Sequence, residues 1–201
     1  MISRLSLSDP NEAKRQAAID FVKGMIDAVA NWPTRVIIGS MQGRAESAVE
    51  IPDYRKRLVD SLQVLTQYAH DHRLDLLIEP LNRYETNLIN NVDDGLQLLQ
   101  QVELPNLRLL CDIFHMNIEE ASIGKALVDA NEKVGHVHFA DSNRWAVGFG
   151  HVAYAPIIDA LRSINYQGYL SAEVFSRPDA ETAARQTWLA FQSLVGKQSV
   201  T

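Results

Sequence analysis

Leu76-Leu77-Ile78-Glu79-Pro80-Leu81 is an apolar run with a single carboxylate near its C-terminal end. Its length and composition fit a strand buried on both faces. Four more runs of the same kind occur: Arg35-Val36-Ile37-Ile38-Gly39-Ser40 and residues 107–113, 134–140 and 169–175. They start about 30 residues apart, the repeat of a βαβ unit. Helical patterns fill the intervals. Ala18, Phe21, Val22, Met25, Ile26 and Val29 recur at helical spacing behind a start signal at Ser8-Asp9-Pro10, and Tyr54, Leu58, Leu62, Leu65 and Ala69 mark a second helix. Val92, Leu96, Leu99 and Val102 mark a third, and residues 118–130, 156–164 and 179–195 predict three more. Apolar strands alternating with helices imply an α/β protein whose parallel sheet is covered by helices. No linker or low-complexity stretch interrupts the pattern, so residues 1–201 read as a single domain.

Composition narrows the class. The chain has 201 residues, 46% hydrophobic and 22% charged, with a formal net charge of −6. That is the profile of a globular protein with an ample core. An acidic balance argues against a nucleic-acid partner, which needs a basic face. No apolar run approaches the roughly 20 residues that span a bilayer, and Met1-Ile2-Ser3-Arg4-Leu5-Ser6 lacks the apolar segment of a signal peptide. One cysteine, Cys111, excludes an internal disulfide and a cysteine-based zinc site. The expectation is a cytoplasmic protein with no membrane partner.

The polar residues within the apolar strands carry the chemistry. Glu79 lies near the end of its run, Asp112 near the end of Leu109-Leu110-Cys111-Asp112-Ile113, His138 within His136-Val137-His138-Phe139-Ala140, and Glu173 within Leu170-Ser171-Ala172-Glu173-Val174-Phe175. In parallel α/β proteins the C-terminal ends of the strands are where ligands bind. One such carboxylate alone is ordinarily a cap or a salt-bridge partner. Three carboxylates and an imidazole converging on one point would repel unless a cation lay between them. That donor set suits Mn²⁺, Mg²⁺ or Co²⁺ with positions left for substrate. Polar loops follow the strands, at Asn82-Arg83-Tyr84-Glu85-Thr86-Asn87, Phe114-His115-Met116-Asn117 and Asp141-Ser142-Asn143-Arg144-Trp145. Glu119 and Glu120 read as acidic residues in the first turn of a helix, where they favour its dipole. Cys111 alternates with Asp112 and reads as a core thiol.

These motifs resemble a known group. Ile78-Glu79-Pro80-Leu81-Asn82-Arg83-Tyr84-Glu85-Thr86, Asp112-Ile113-Phe114-His115-Met116-Asn117-Ile118-Glu119-Glu120, Gly135-His136-Val137-His138, Ser142-Asn143-Arg144 and Ser171-Ala172-Glu173 look like those of the ketose 3-epimerases. That group lies within the xylose isomerase-like TIM-barrel superfamily. The resemblance implies that Glu79, Asp112, His138 and Glu173 hold a divalent metal, Mn²⁺ first, with Mg²⁺ or Co²⁺ as alternatives. It implies that Glu79 and Glu173 are also the acid/base pair. Glu85, His115 and Arg144 match residues that hold the O1 and O2 end of a keto sugar, and His136, two residues before His138, points the same way along its strand. The implied reaction inverts C3 through a cis-enediolate. The same metal site would serve an aldose–ketose or hydroxypyruvate isomerase.

The chain also departs from that pattern. The family barrel has eight βα units in about 250 residues or more, whereas five strands are counted here. The expected fold is therefore a partial TIM-barrel-like α/β domain of about five parallel βα units, with the first three units lacking. Five strands cannot close such a barrel. The strand at residues 35–40 would be an apolar edge that invites a partner, so a homo-oligomer is expected. A non-catalytic remnant is the alternative from another class.

Overall fold

The computed structural model describes residues 5–196; the first four residues, read above as part of a start without a leader, lie outside the described residues. In chain order the elements are α1 (Glu12–Val29), β1 (Arg35–Ile38), α2 (Ile51–Asp71), β2 (Asp75–Ile78), α3 (Val92–Val102), β3 (Leu107–Asp112), α4 (Ile113–Glu119), α5 (Ile123–Ala130), β4 (Val134–His138), α6 (Tyr154–Ser163), β5 (Leu170–Ser171) and α7 (Ala180–Leu194). β1, β2 and β3 are neighbours in chain order, and so are β4 and β5. The chain divides into two compact units, Met1–Leu110 and Cys111–Thr201.

In the first unit, β1 pairs in parallel with β2, Val36 beside Leu76 and Ile38 beside Ile78, and β2 pairs in parallel with β3. Leu76, Leu77 and Ile78 are all buried, so β2 is covered on both faces. β1 instead alternates: Val36 and Ile38 are buried while Ile37 is exposed. This strand is thus covered on one face only, where the sequence reading expected burial on both. α2 carries the largest share of the core, burying Leu58, Leu62, Leu65 and Ala69 at helical spacing. α3 starts at Asn91, whose side chain accepts from the Asp94 amide at 2.8 Å, with Asp93 and Asp94 in its first turn.

In the second unit, β4 pairs in parallel with β5, Val137 beside Leu170 and His138 beside Ser171. α5 lies against α6, and α6 against α7. Two expectations change here. The helix anticipated over residues 118–130 is two helices. Ser122 adopts extended backbone and caps α5 by accepting from the Lys125 amide, and Glu120 is extended as well. Glu119 therefore ends α4 and Glu120 caps its C-terminus, rather than both lying in a first turn. The strand anticipated over residues 169–175 pairs only at Leu170–Ser171. The α1 start shifts from Ser8-Asp9-Pro10 to Asn11, whose side chain accepts from the Lys14 amide. Cys111 is buried, as alternation required.

Candidate metal centre

Glu79 is the first residue past β2. Its amide donates to the Ile38 carbonyl at 2.9 Å, and its carbonyl accepts from Gln42 Nε2 at 3.1 Å. Gln42 is fully buried, and its Oε1 accepts from the Ile89 amide at 3.1 Å. This buried amide side chain thus fixes the turn that presents Glu79. Gly39 makes room for the carboxylate: a Cβ added there would lie 2.6 Å from Glu79 Oε2, closer than real atoms approach.

Asp112 ends β3 with its side chain buried. It works twice. Oδ1 caps α4 by accepting from the Phe114 amide at 2.8 Å. Oδ2 lies 3.2 Å from His138 Nδ1 at the end of β4. His138 Nδ1 also lies 2.9 Å from Glu173 Oε2. Glu173 sits two residues past β5 with about half of its side chain exposed (52%). Arg144 Nη2 donates to the same Glu173 oxygen at 2.7 Å. Its Nη1 lies 3.6 Å from Asp112 Oδ2 and donates to His115 Nε2 at 3.2 Å. The Arg144 guanidinium lies over the Phe114 ring, 4.8 Å from its centre.

Of the sequence-predicted ligands, Asp112, His138 and Glu173 come together within the second unit, and Glu79 lies just past β2 in the first. A single imidazole N–H cannot serve two carboxylates at full strength, whereas a divalent cation accepts lone pairs from every donor at once. Two carboxylates and one imidazole gathered in this way are donors for a hard to borderline divalent ion, so these residues fit such a group. The hydrogen bond from His138, with Arg144 adding its positive charge, holds the Glu173 carboxyl down at about 2 against the desolvation that would raise it. Glu173 is therefore ionised across the physiological range.

Of the other predicted residues, His115 is buried on α4 and Arg144 lies on the loop after β4, in contact as described. His136 lies beside His138 with ring centres 5.5 Å apart, its Nε2 sharing a 2.7 Å hydrogen bond with Ser171 Oγ. Glu85 is exposed, 3.4 Å from Asn82 Nδ2. Sequence reasoning passed over Gly39, Gln42 and Asp141, a buried carboxylate after β4. The signals were there: a glycine directly after a strand, a glutamine in an otherwise tight turn, and an Asp between an apolar strand and a Gly-Phe-Gly loop.

Comparison with known proteins gives the same direction. Residues 2–193 match the family described as xylose isomerase-like TIM barrel. L-ribulose 3-epimerase of Methylomonas sp. (strain DH-1) is 36% identical over 140 residues, covering 70% of this chain and 49% of that protein. 3-Dehydro-D-guloside 4-epimerase of Escherichia coli (strain K12) is 36% identical over 137 residues, covering 68% and 52%. The solved structure of a D-allulose 3-epimerase from Methylomonas sp. superposes with a TM-score of 0.88 at 25% identity, over 96% of this chain and 74% of that one. The chain spans about half the length of the curated relatives it matches.

Proposed function

The chain belongs to the xylose isomerase-like TIM-barrel family, and we propose that it acts on a keto sugar as a metal-dependent epimerase, inverting C3 of a ketose or the equivalent carbon of a keto sugar acid. The observation that carries this reading is the cluster of Asp112, His138 and Glu173 together with Arg144, which bridges Glu173 and His115. Glu79, Asp112, His138 and Glu173 would hold the ion, with Mn²⁺ preferred and Mg²⁺ or Co²⁺ as substitutes. When bound, such an ion would polarise the substrate carbonyl and acidify the neighbouring C–H.

The protein's own residues supply the rest. Glu173, ionised and half-exposed, accepts the proton from one face of the carbon. Glu79 returns a proton from the other, leaving the carbon inverted. Two carboxylates acting on opposite sides of a flat cis-enediolate are what an epimerisation requires. Arg144 offers its guanidinium to the developing negative oxygen. Buried His115 lies against Arg144 through Nε2, and with Glu85 and His136 it completes the grip on the sugar. The substrate is a small free sugar. The acidic balance argues against a nucleic-acid partner, and no helix among the described residues is long and apolar enough to cross a membrane. The buried thiol of Cys111 suits a reducing cytoplasm, and the half-covered β1 suits a homo-oligomer.

The test is C3 proton exchange with D₂O, using D-fructose, D-tagatose and hydroxypyruvate with product identification. Deuterium at C3 with an epimeric ketose supports the reading. Exchange at C1 with an aldose product would make the chain an isomerase. Metal binding without exchange on any sugar would mark a non-catalytic remnant.

A further inference from the structure

The loop that carries Arg144 is organised by a residue with no part in the chemistry above. Asp141 is 1% exposed and follows β4 by three residues. Its Oδ1 accepts from the amides of Ser142 at 2.8 Å and Val152 at 3.0 Å, and its Oδ2 from the Gly148 amide at 2.8 Å. One carboxylate thus ties three amides spread over residues 142–152. Burial alone would raise its pKa. The amides of Val152, Gly148, Ser142 and Gly150 outweigh that and hold the group below the usual carboxylate range, so it stays charged. The backbone of the same residue continues the work: its carbonyl accepts from the Arg144 amide at 2.8 Å and its amide donates to the Trp145 carbonyl at 3.0 Å.

Arg144 needs this support. Its φ of 58° is left-handed, a conformation that costs a non-glycine residue about 1 kcal/mol or more and persists only where the surroundings impose it. Its carbonyl accepts from the Phe175 amide at 2.8 Å, which joins the loop to the segment bearing Glu173. Gly150 is small for the same reason: a Cβ there would lie 2.2 Å from Asp141 Oδ1.

We propose that Asp141 is a positioning residue: by gathering the amides of residues 142–152 it holds Arg144 in the left-handed conformation from which the guanidinium reaches Glu173 and His115. This rests on the epimerase reading for its catalytic consequence but not for its geometry, and the experiment separates the two. In Asp141→Asn, which keeps shape but turns an NH₂ toward the amides, protection of the Ser142, Gly148 and Val152 amides in hydrogen exchange is lost. The resolved guanidinium proton signals of Arg144 broaden, while Mn²⁺ affinity stays within about threefold. Gly150→Ala, which displaces the carboxylate without removing its charge, gives the same pattern. C3 exchange falls on the order of 10²-fold in kcat, as misplacing a substrate-orienting group does. In an Arg144→Ala background the same substitution costs less than about twofold more. Retained amide protection and sharp Arg144 signals in both variants would overturn the proposal, as would a full additional loss of exchange in the Arg144→Ala background. A wild-type chain that exchanges no sugar proton would defeat the epimerase reading, while the amide and guanidinium signals would still decide the role of Asp141.

Discussion

The ends of β3 and β4 and the segment after β5 present their donors in different ways. Asp112 and His138 terminate strands of six and five residues, and their side chains are 0% and 10% exposed. Glu173 follows a paired stretch of two residues and is half exposed. The first two donors are fixed by the core and by strand register. Glu173 is fixed by other side chains, His138 at 2.9 Å and Arg144 at 2.7 Å, and by the Phe175 amide nearby. A donor held by the core is rigid and costly to remove. A donor held by charge pairing is adjustable, which suits the group assigned to take a proton from substrate.

The largest effect that would sharpen this contrast is on turnover. Glu173→Gln is expected to lower C3 exchange by about 10³-fold while moving the melting temperature by no more than about 2 °C, because the half-exposed Glu173 end of the pair is screened by water. A melting loss of 10 °C would show that Glu173 is structural after all. Asp112→Ala should do the opposite. It removes a donor and the α4 cap, so Mn²⁺ affinity measured by titration calorimetry falls by more than about 100-fold, and stability without metal drops by about 1 kcal/mol from the lost cap. Equal stability losses for the two variants would erase the distinction.

A smaller effect belongs to Glu79. Gly39→Ala places a Cβ 2.6 Å from Oε2 and forces the carboxylate to shift. About a tenfold loss of Mn²⁺ affinity is expected, with the helix content by circular dichroism unchanged. The smallest effect is in pH. The Glu173 carboxyl, near 4.5 when unpaired, is held at about 2 when folded, first by its hydrogen bond from His138. Its contribution is therefore complete above pH 4.5 and lost as pH falls toward 2. Without metal, the stability difference between wild type and Glu173→Gln should be constant from pH 7 to 5 and should vanish by pH 2. A difference that grew on acidification would reverse the assignment.

Much of this is readable in the sequence. Strand ends with a polar residue in an apolar run mark Glu79, Asp112 and His138, because a buried charge needs a partner and its recurrence on successive strands is more than a lone cap explains. Glu173 was readable as a residue but not in its setting: an apolar sequence such as Leu170-Ser171-Ala172-Glu173-Val174 says nothing of where pairing stops. The break between α4 and α5 was hidden because Ile118, Ile123, Ala126 and Leu127 keep an apolar pattern across it, while the deciding event is a local one, the Ser122 side chain capping a second helix. The work of Asp141 and Gln42 depends on amides 7 to 47 residues away in the chain, and no local pattern records that.

The central claim is that the strand-end donors form one metal centre, and Mn²⁺ titration of the chain with parallel metal analysis tests it most directly. One ion per chain, lost in both Asp112→Ala and His138→Ala, is the predicted result. No bound ion, or binding that survives both substitutions, would contradict it.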